Sequence, residues 1–427
     1  MRIAEYGVRN KKGDMEKRRS AGLWVSVLYL AEGFPYTVVN LMSVIFLKDL
    51  GASNELIGVT SLLYLPWVLK GLWGPVVDLH STKRRWILSA EVVCTVLFIL
   101  LALGVVTAQV LTISIALFAV IAFVSATHDI AIDGFYLDAL DKDRQALYVG
   151  VRSAAYKIAW LVGSGGLVFL AGYCAARSTS TTGWAIAFGS GGIIFLLIYL
   201  FQLWYLPYPT PFANGHKEVT PKHNFLDAFK TYFTQGKMGW VITYVLIFRL
   251  GDAFMLKMAP PFLMDTIEKG GLAISTAEIG ILYGTVGVIF LLAGGIIGGF
   301  IIAKQGLKKW MWPFAFLQNG AIILYWFLAA NKPSLAWVYA VNSFEQFSYG
   351  LGVSAYSVFL MRTVLLEYRA SHYAITTAFM AAGVMIPGIM SGYLQAWLGY
   401  EKFFLMSFFA ALPGLATIAF LPLEEKV

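Results

Sequence analysis

Gly74-Pro75-Val76-Val77-Asp78, followed by Lys83-Arg84-Arg85, closes the second long apolar run of this chain. Six runs later Gly298-Gly299, followed by Lys304-Gln305-Gly306-Leu307-Lys308-Lys309, closes the eighth. A glycine-bearing span end that opens into a basic turn therefore occurs twice. Around these two anchors, runs of about 20 apolar residues, each long enough to cross the ~30 Å hydrocarbon core, occupy 22–47, 56–78, 86–106, 110–138, 147–175, 184–206, 238–263, 277–303, 310–330, 335–363, 372–398 and 401–422. Runs four and ten carry acids, and the twelvefold count rests on accepting them. The longest hydrophilic interval, 207–237, holds Pro207, Pro209, Pro211 and Pro221 and falls between runs six and seven. The expected organisation is a cytoplasmic tail at 1–21, a six-helix bundle at 22–206, a linker at 207–237, a second bundle at 238–422 and a short tail at 423–427. Duplicated halves of this kind predict a parallel pseudo-twofold repeat.

Composition agrees. Of 427 residues, 59% are hydrophobic and 13% charged, about half the charged share of a soluble domain. That excludes a soluble enzyme, a nucleic-acid-binding domain and a disordered scaffold, and leaves an all-α polytopic membrane protein. The net charge of +8 is spread in small clusters between apolar runs, so it marks topology and not a nucleic-acid partner. With the N-terminus placed in the cytoplasm, 22 Lys and Arg fall in cytoplasmic segments and five in outer loops. This bias predicts both termini inside. The polar, basic first 20 residues are followed by a full-length span, unlike a cleavable leader. Cys94 and Cys174 both lie in apolar runs, so neither a disulfide framework nor a metal site is expected. No Walker A pattern and no nucleophile elbow are present, which points away from an ATP-driven pump and from a hydrolase. No cofactor is expected; the driving force would be the proton gradient.

Ionisable groups inside a bilayer are costly, so each is a functional candidate. These are Glu32, Lys70, Asp78, Asp129, Asp133, Asp138, Arg152, Lys157, Arg249, Asp252, Lys257 and Glu345. At 1.5 Å of rise per residue, Glu32, Lys70, Asp129, Lys157 and Arg249 share a depth of roughly 12–16 Å from the cytoplasmic end, where secondary transporters hold substrate. His128-Asp129-Ile130-Ala131-Ile132-Asp133 places two carboxylates four residues apart, on one helix face. With Glu32 they are the proton-coupling candidates. The alternative is that Asp129 and Asp133 pair with Lys157 and Arg152 and merely fasten spans four and five. Lys70, Lys157, Arg249, Asp252, Glu345, Gln346 and Tyr156 are the substrate-binding candidates; Tyr156 shares the face of Arg152. Arg249 and Asp252, three apart, could equally neutralise each other. Glu345-Gln346 lies beside Phe344 and Phe347 and would face the second half of the cavity. Asp78, Arg84, Arg85 and Arg152 are the gating candidates at the cytoplasmic mouth. Pro260-Pro261 is expected to end or kink span seven. The glycines of spans five and eight allow close helix approach, either as static packing or as seams that slide. His128 has no ligand-spaced partners, so no metal is expected there.

Several segments resemble the AmpG-like anhydromuropeptide permeases, of the peptide–acetyl-CoA transporter branch of the major facilitator superfamily. They are Leu69-Lys70-Gly71-Leu72-Trp73-Gly74-Pro75-Val76-Val77-Asp78, Ala126 through Phe135, Tyr156-Lys157 ahead of Gly163, and Leu250-Gly251-Asp252-Ala253-Phe254 ahead of Phe262-Leu263. Phe344-Glu345 and Ala411-Leu412-Pro413-Gly414-Leu415 continue the likeness, which covers nearly all twelve spans. The resemblance implies the major facilitator fold and proton-driven import of 1,6-anhydro-muropeptides across the bacterial inner membrane for cell-wall recycling. It also implies a transport role for Asp129 and Asp133 and a basic site residue at Lys157. Ala303 departs from the pattern, standing where the second loop motif would carry an acid. The branch includes importers of other amphiphiles such as siderophores, and a non-transporting membrane receptor is a further alternative. The expected partners are an amphiphilic small molecule and the lipid bilayer, with the protein a monomer.

Overall fold

The computed structural model describes residues 20–208, 225–365 and 369–423. Lipid offers no hydrogen-bond partners, so each crossing segment must satisfy its own backbone, and helix is the only local solution for a single run. The spans are α1 (Ala21–Asp49), α2 (Asn54–Leu72), α3 (Lys83–Gly104), α4 (Val110–Ala139), α5 (Leu147–Ala175), α6 (Ser180–Tyr205), α7 (Met238–Met264), α8 (Thr276–Gln305) and α9 (Leu307–Asn331). To these add α10 (Leu335–Arg362) and a continuous helical stretch, His372–Phe420, which Gly399 divides at φ 72 into α11 (372–398) and α12 (400–420). α10 is the least apolar of them, as its acid suggests. The acids of α4 follow an apolar first half, so that span is more hydrophobic than its carboxylates imply.

Short connections are closed by side-chain caps. Ser53, Thr82, Asp141, Thr179 and Ser275 each accept a backbone N–H from the first turn of the helix that follows, leaving fewer orphan donors where the chain re-enters the apolar layer. Beyond the expected linker pattern, the structure holds a short helix, Phe225–Phe233. Tyr232 in it meets the Thr376 hydroxyl at 3.0 Å and packs edge-on against His372. Most of the linker and the tails lie outside the described residues.

Span seven is interrupted at Phe248-Arg249, where Arg249 has φ −93 and ψ 11, and not at Pro260-Pro261. The prolines lie within a helix that runs on to Met264. Each proline withholds an N–H and crowds the carbonyl four residues before it, yet its φ near −65° suits a helix, which here stops three residues past Pro261.

The packing reveals which way the molecule is open. Call the side carrying the start of α1 the near side and the other the far side. One buried core runs across both halves, joining Val39, Phe46, Ile57 and Phe118 to Met258, Phe262, Leu282 and Phe403. On the near side the halves have separate cores, one around Trp24, Phe135 and Leu206, the other around Tyr244, Phe314 and Phe359. The halves are therefore joined at the far side and parted at the near side. Glycine makes the junction possible. A Cβ on Gly284 of α8 would stand 1.9 Å from the Ser164 carbonyl oxygen of α5, and one on Gly392 of α11 would stand 1.9 Å from that of Asn54 on α2. Gly294 and Gly298, grouped with Gly284 by sequence, pack instead against α10 within their own half.

Candidate functional site

Two walls line the parting between the halves. On the first, Lys70 of α2 donates to Asp129 of α4 in a close ion pair, and Glu32 of α1 lies against the same carboxylate. One turn nearer the open side, Asp133 accepts from Arg152 at 3.2 Å and from the Tyr29 hydroxyl at 2.9 Å. The Arg152 guanidinium covers the rings of Tyr29 and Tyr136 at 4.5 and 5.2 Å. Asp133 and Arg152 are 43% and 34% exposed at their side chains, against 12% for Asp129. The outer carboxylate is therefore wetted from the open side, whereas the inner one is largely covered, its partner Lys70 being 27% exposed.

Of the alternative pairing, Asp133 with Arg152 forms, but Asp129 is taken by Lys70 and not by Lys157. Arg152 and Lys157 are five residues apart and point about 140° from each other, so only Arg152 can follow Asp133 along the α4 face. Lys157 turns into a nest of rings, its ammonium 3.5 Å from the centroid of Trp160. Around it Tyr36 packs on Tyr64, Trp67, Tyr156 and Trp160 at 5.1–6.3 Å. Tyr156 belongs to this cluster rather than to Arg152.

On the second wall Arg249, set at the break in α7, donates to the Tyr349 hydroxyl, and its Nε has no partner. Asp252 accepts from Gln318. Arg249 and Asp252 form no direct ion pair, since each bonds a different neighbour, Tyr349 and Gln318, although the two charges remain within Coulomb range of one another. Glu345 accepts from Gln346 at 2.8 Å, both buried. Phe344 is 47% exposed and so is not packed with these two buried side chains. Lys157 and Arg249, on opposite halves, lie within Coulomb range of one another. Among the described residues neither has a carboxylate at ion-pair distance.

Arg84 donates to the carbonyls of Leu203 at 2.7 Å and Leu206 at 3.3 Å and stacks on Tyr208, all in its own half. Arg85 is exposed, and the side chain of Asp78 lies outside the described residues. In this near-side-open arrangement the contacts between halves lie on the far side. Lys48 of α1 meets Asp265 of α7 at 2.7 Å, with side chains 9% and 6% exposed. Asn54 bonds Gln395 at 2.6 Å and the Tyr400 hydroxyl at 2.8 Å, and Tyr400 donates to Asp265 at 2.5 Å. The same motif recurs about the pseudo-twofold axis. Asp49 accepts from Trp184 at 2.7 Å, from Ser180, and from Thr276 of the other half. Sequence reasoning missed this latch, having counted Lys48 only as a loop charge. A signal was present: Phe46-Leu47-Lys48-Asp49 and Phe262-Leu263-Met264-Asp265 end spans one and seven alike. Lys257 also bridges the halves, donating to Thr60 of α2 at 3.0 Å.

Comparison with known proteins agrees with this architecture. The family description "Major Facilitator Superfamily" matches residues 25–386. An anhydromuropeptide permease of Escherichia coli K12 is 25% identical over 395 residues, covering 91% of this chain and 77% of that protein. A putative transporter AmpG 4 of Rickettsia conorii is 23% identical, covering 94% and 97%. Among solved structures, a bacterial homologue of the human lysosomal transporter Spinster, inward-facing and unoccupied, superposes with a TM-score of 0.66 at 16% identity, covering 94% of each chain. A D-xylose–proton symporter gives 0.69 at 15%, covering 94% and 97%. These structures share the fold alone, while the sequence relatives bear out the likeness read from the motifs.

Proposed function

The chain belongs to the major facilitator superfamily, and from that premise we propose that it is a proton-coupled importer of anhydromuropeptide-type cell-wall fragments, working by alternating access in the bacterial inner membrane. That it is a secondary transporter and no enzyme follows from its relatives and fold; the substrate and the coupling ion are our reading. The observation that carries it is the pair of cations, Lys157 and Arg249, on opposing halves, neither with a carboxylate at ion-pair distance among the described residues. Charges held inside a span without an ion-pair partner are costly, and an anionic ligand bound between the halves would supply one to both. The rings of Tyr36, Trp67, Tyr156 and Trp160 beside Lys157 offer stacking faces for the apolar sides of sugars. A relative named anhydromuropeptide permease gives the substrate class its support.

In this reading Asp129, with Glu32 and Asp133 beside it, takes the proton. Protonating Asp129 would release Lys70, giving substrate and proton a shared wall to act on. Asp78, Arg84, Arg85 and Arg152 border the open mouth and would engage when the near side closes. With the N-terminus cytoplasmic, that open side faces the cytoplasm.

The test is uptake of radiolabelled anhydro-muropeptide and of a ferric siderophore into cells or proteoliposomes, with and without a proton uncoupler. Uncoupler-sensitive uptake of the muropeptide is expected. Lys157→Ala should raise KM roughly 10- to 150-fold, the value of a lost charge-assisted contact of about 1.5–3 kcal/mol. Siderophore uptake alone, or uptake indifferent to the uncoupler, would refute the proposal.

A further inference from the structure

Away from the cavity, in the seam of α3, α4 and α6, lie two ionisable side chains that no transport argument uses. Glu91 of α3 and His128 of α4 are both fully buried. His128 Nε2 stands 3.8 Å from Glu91 Oε1, beyond hydrogen-bond length. Among the described residues, both carboxyl oxygens and both ring nitrogens lack a hydrogen-bond partner. Phe195 of α6 closes the seam, its ring centroid 6.4 Å from the imidazole, and Phe34 of α1 stacks on Phe195 at 5.9 Å. The titratable groups in reach are Arg84 and Cys94 on α3 and Asp129 on α4. The buried face of α6 here, Phe195, Ile198 and Gln202, carries none, and neither does Phe34 of α1.

A lone carboxylate or imidazolium would be prohibitively desolvated at such a place. Together they need not be: carboxylic acid with neutral imidazole and carboxylate with imidazolium hold the same number of protons, and both arrangements are net neutral. His128 directly precedes Asp129, and successive helical side chains point 100° apart. Holding the imidazole in the α3 seam therefore sets the rotation of α4 that aims Asp129 at Lys70.

We propose that Glu91 and His128 act as one net-neutral, proton-sharing pair that positions Asp129 against Lys70. The proposal rests on the reading of Asp129 as the proton carrier, so its test includes a readout that needs no transport. Thermal unfolding of the purified full-length protein in detergent is followed from about pH 5 to about pH 8, the range in which imidazole commonly titrates. Glu91→Gln leaves His128 facing a neutral amide. Protonation then buries an uncompensated cation, so Tm should fall toward low pH. His128→Gln leaves Glu91 alone, and Tm should fall toward high pH. The double variant, again net neutral, should show a flat profile and recover most of each loss. In uptake, each single variant should shift the pH profile of the initial rate, and the double should restore it.

Single losses that ignore pH and simply add in the double would overturn the pair. A pH-coupled Tm cycle with unshifted uptake profiles would overturn the positioning role. Wild-type uptake indifferent to the proton gradient would count against the coupling reading by itself, and the Tm cycle would still decide whether the pair exists.

Discussion

Replacing Asp265 with Asn should shift this transporter toward the form that opens on the far side. The substitution keeps the side chain's shape and removes the charge that Lys48 meets at 2.7 Å and Tyr400 at 2.5 Å. The two ion-pair side chains are only 9% and 6% exposed, so water screens little of the loss. A hydrogen bond to a charged group contributes about 1.5–3 kcal/mol and a neutral one about 0.5–1.5 kcal/mol. Two weakened bonds come to about 2–3 kcal/mol. Full breakage of a buried pair would cost about 3–5 kcal/mol, but Lys48 keeps Asn54 Oδ1 at 2.7 Å. At 1.4 kcal/mol per tenfold, the equilibrium between the two facings should move roughly 30- to 150-fold. Spin labels on cysteines at Arg177 and Ser334, exposed far-side positions of opposite halves, report the change by pulsed electron–electron distance measurement, with Cys94 and Cys174 replaced by alanine. A longer-distance population should grow in Asp265→Asn and recede in the charge-swapped Lys48→Asp/Asp265→Lys. An unchanged distance distribution in Asp265→Asn would show that the latch does not hold the far side closed.

Two further outcomes are expected. Gly392→Ala places a methyl group 1.9 Å from the Asn54 carbonyl oxygen and 2.7 Å from the Glu55 Cα, backbone that cannot turn aside. The far side should loosen at a cost of about 1–3 kcal/mol, read in the same distance measurement, whereas Gly299→Ala, with open space around its Cβ, should change nothing. Asp129→Asn keeps the side-chain volume and frees Lys70. Gradient-driven uptake should be lost while counterflow persists in proteoliposomes, and uptake at wild-type rate would remove Asp129 from the coupling role.

Much of the fold was legible because its cause is local. Twelve apolar runs had to become helices once lipid surrounded them, and basic turns marked the ends of spans two and eight before any contact was known. The site was legible only as an inventory. Glu32, Lys70, Asp129, Lys157 and Arg249 stood out because charge is rare in a span, and the structure gathers them on two facing walls. Glu91 is equally rare, but its nearness to His128 is a contact between two helices that no spacing along span three or span four encodes.

What the sequence determined by itself is thus the set of helices, their duplication in two halves and the short roll of buried charges, each following from the cost of polar groups in hydrocarbon. Which charge answers which was decided only by tertiary structure. Asp129 meets Lys70 instead of Lys157 because helix rotation turns Lys157 into the aromatic nest. Lys48 meets Asp265, 217 positions away in sequence, because two rigid bundles touch there in this facing. Neither choice is encoded in the spacing along a single helix: both depend on the rotation of neighbouring helices and on the relative tilt of the halves, which arise only when the bundles pack.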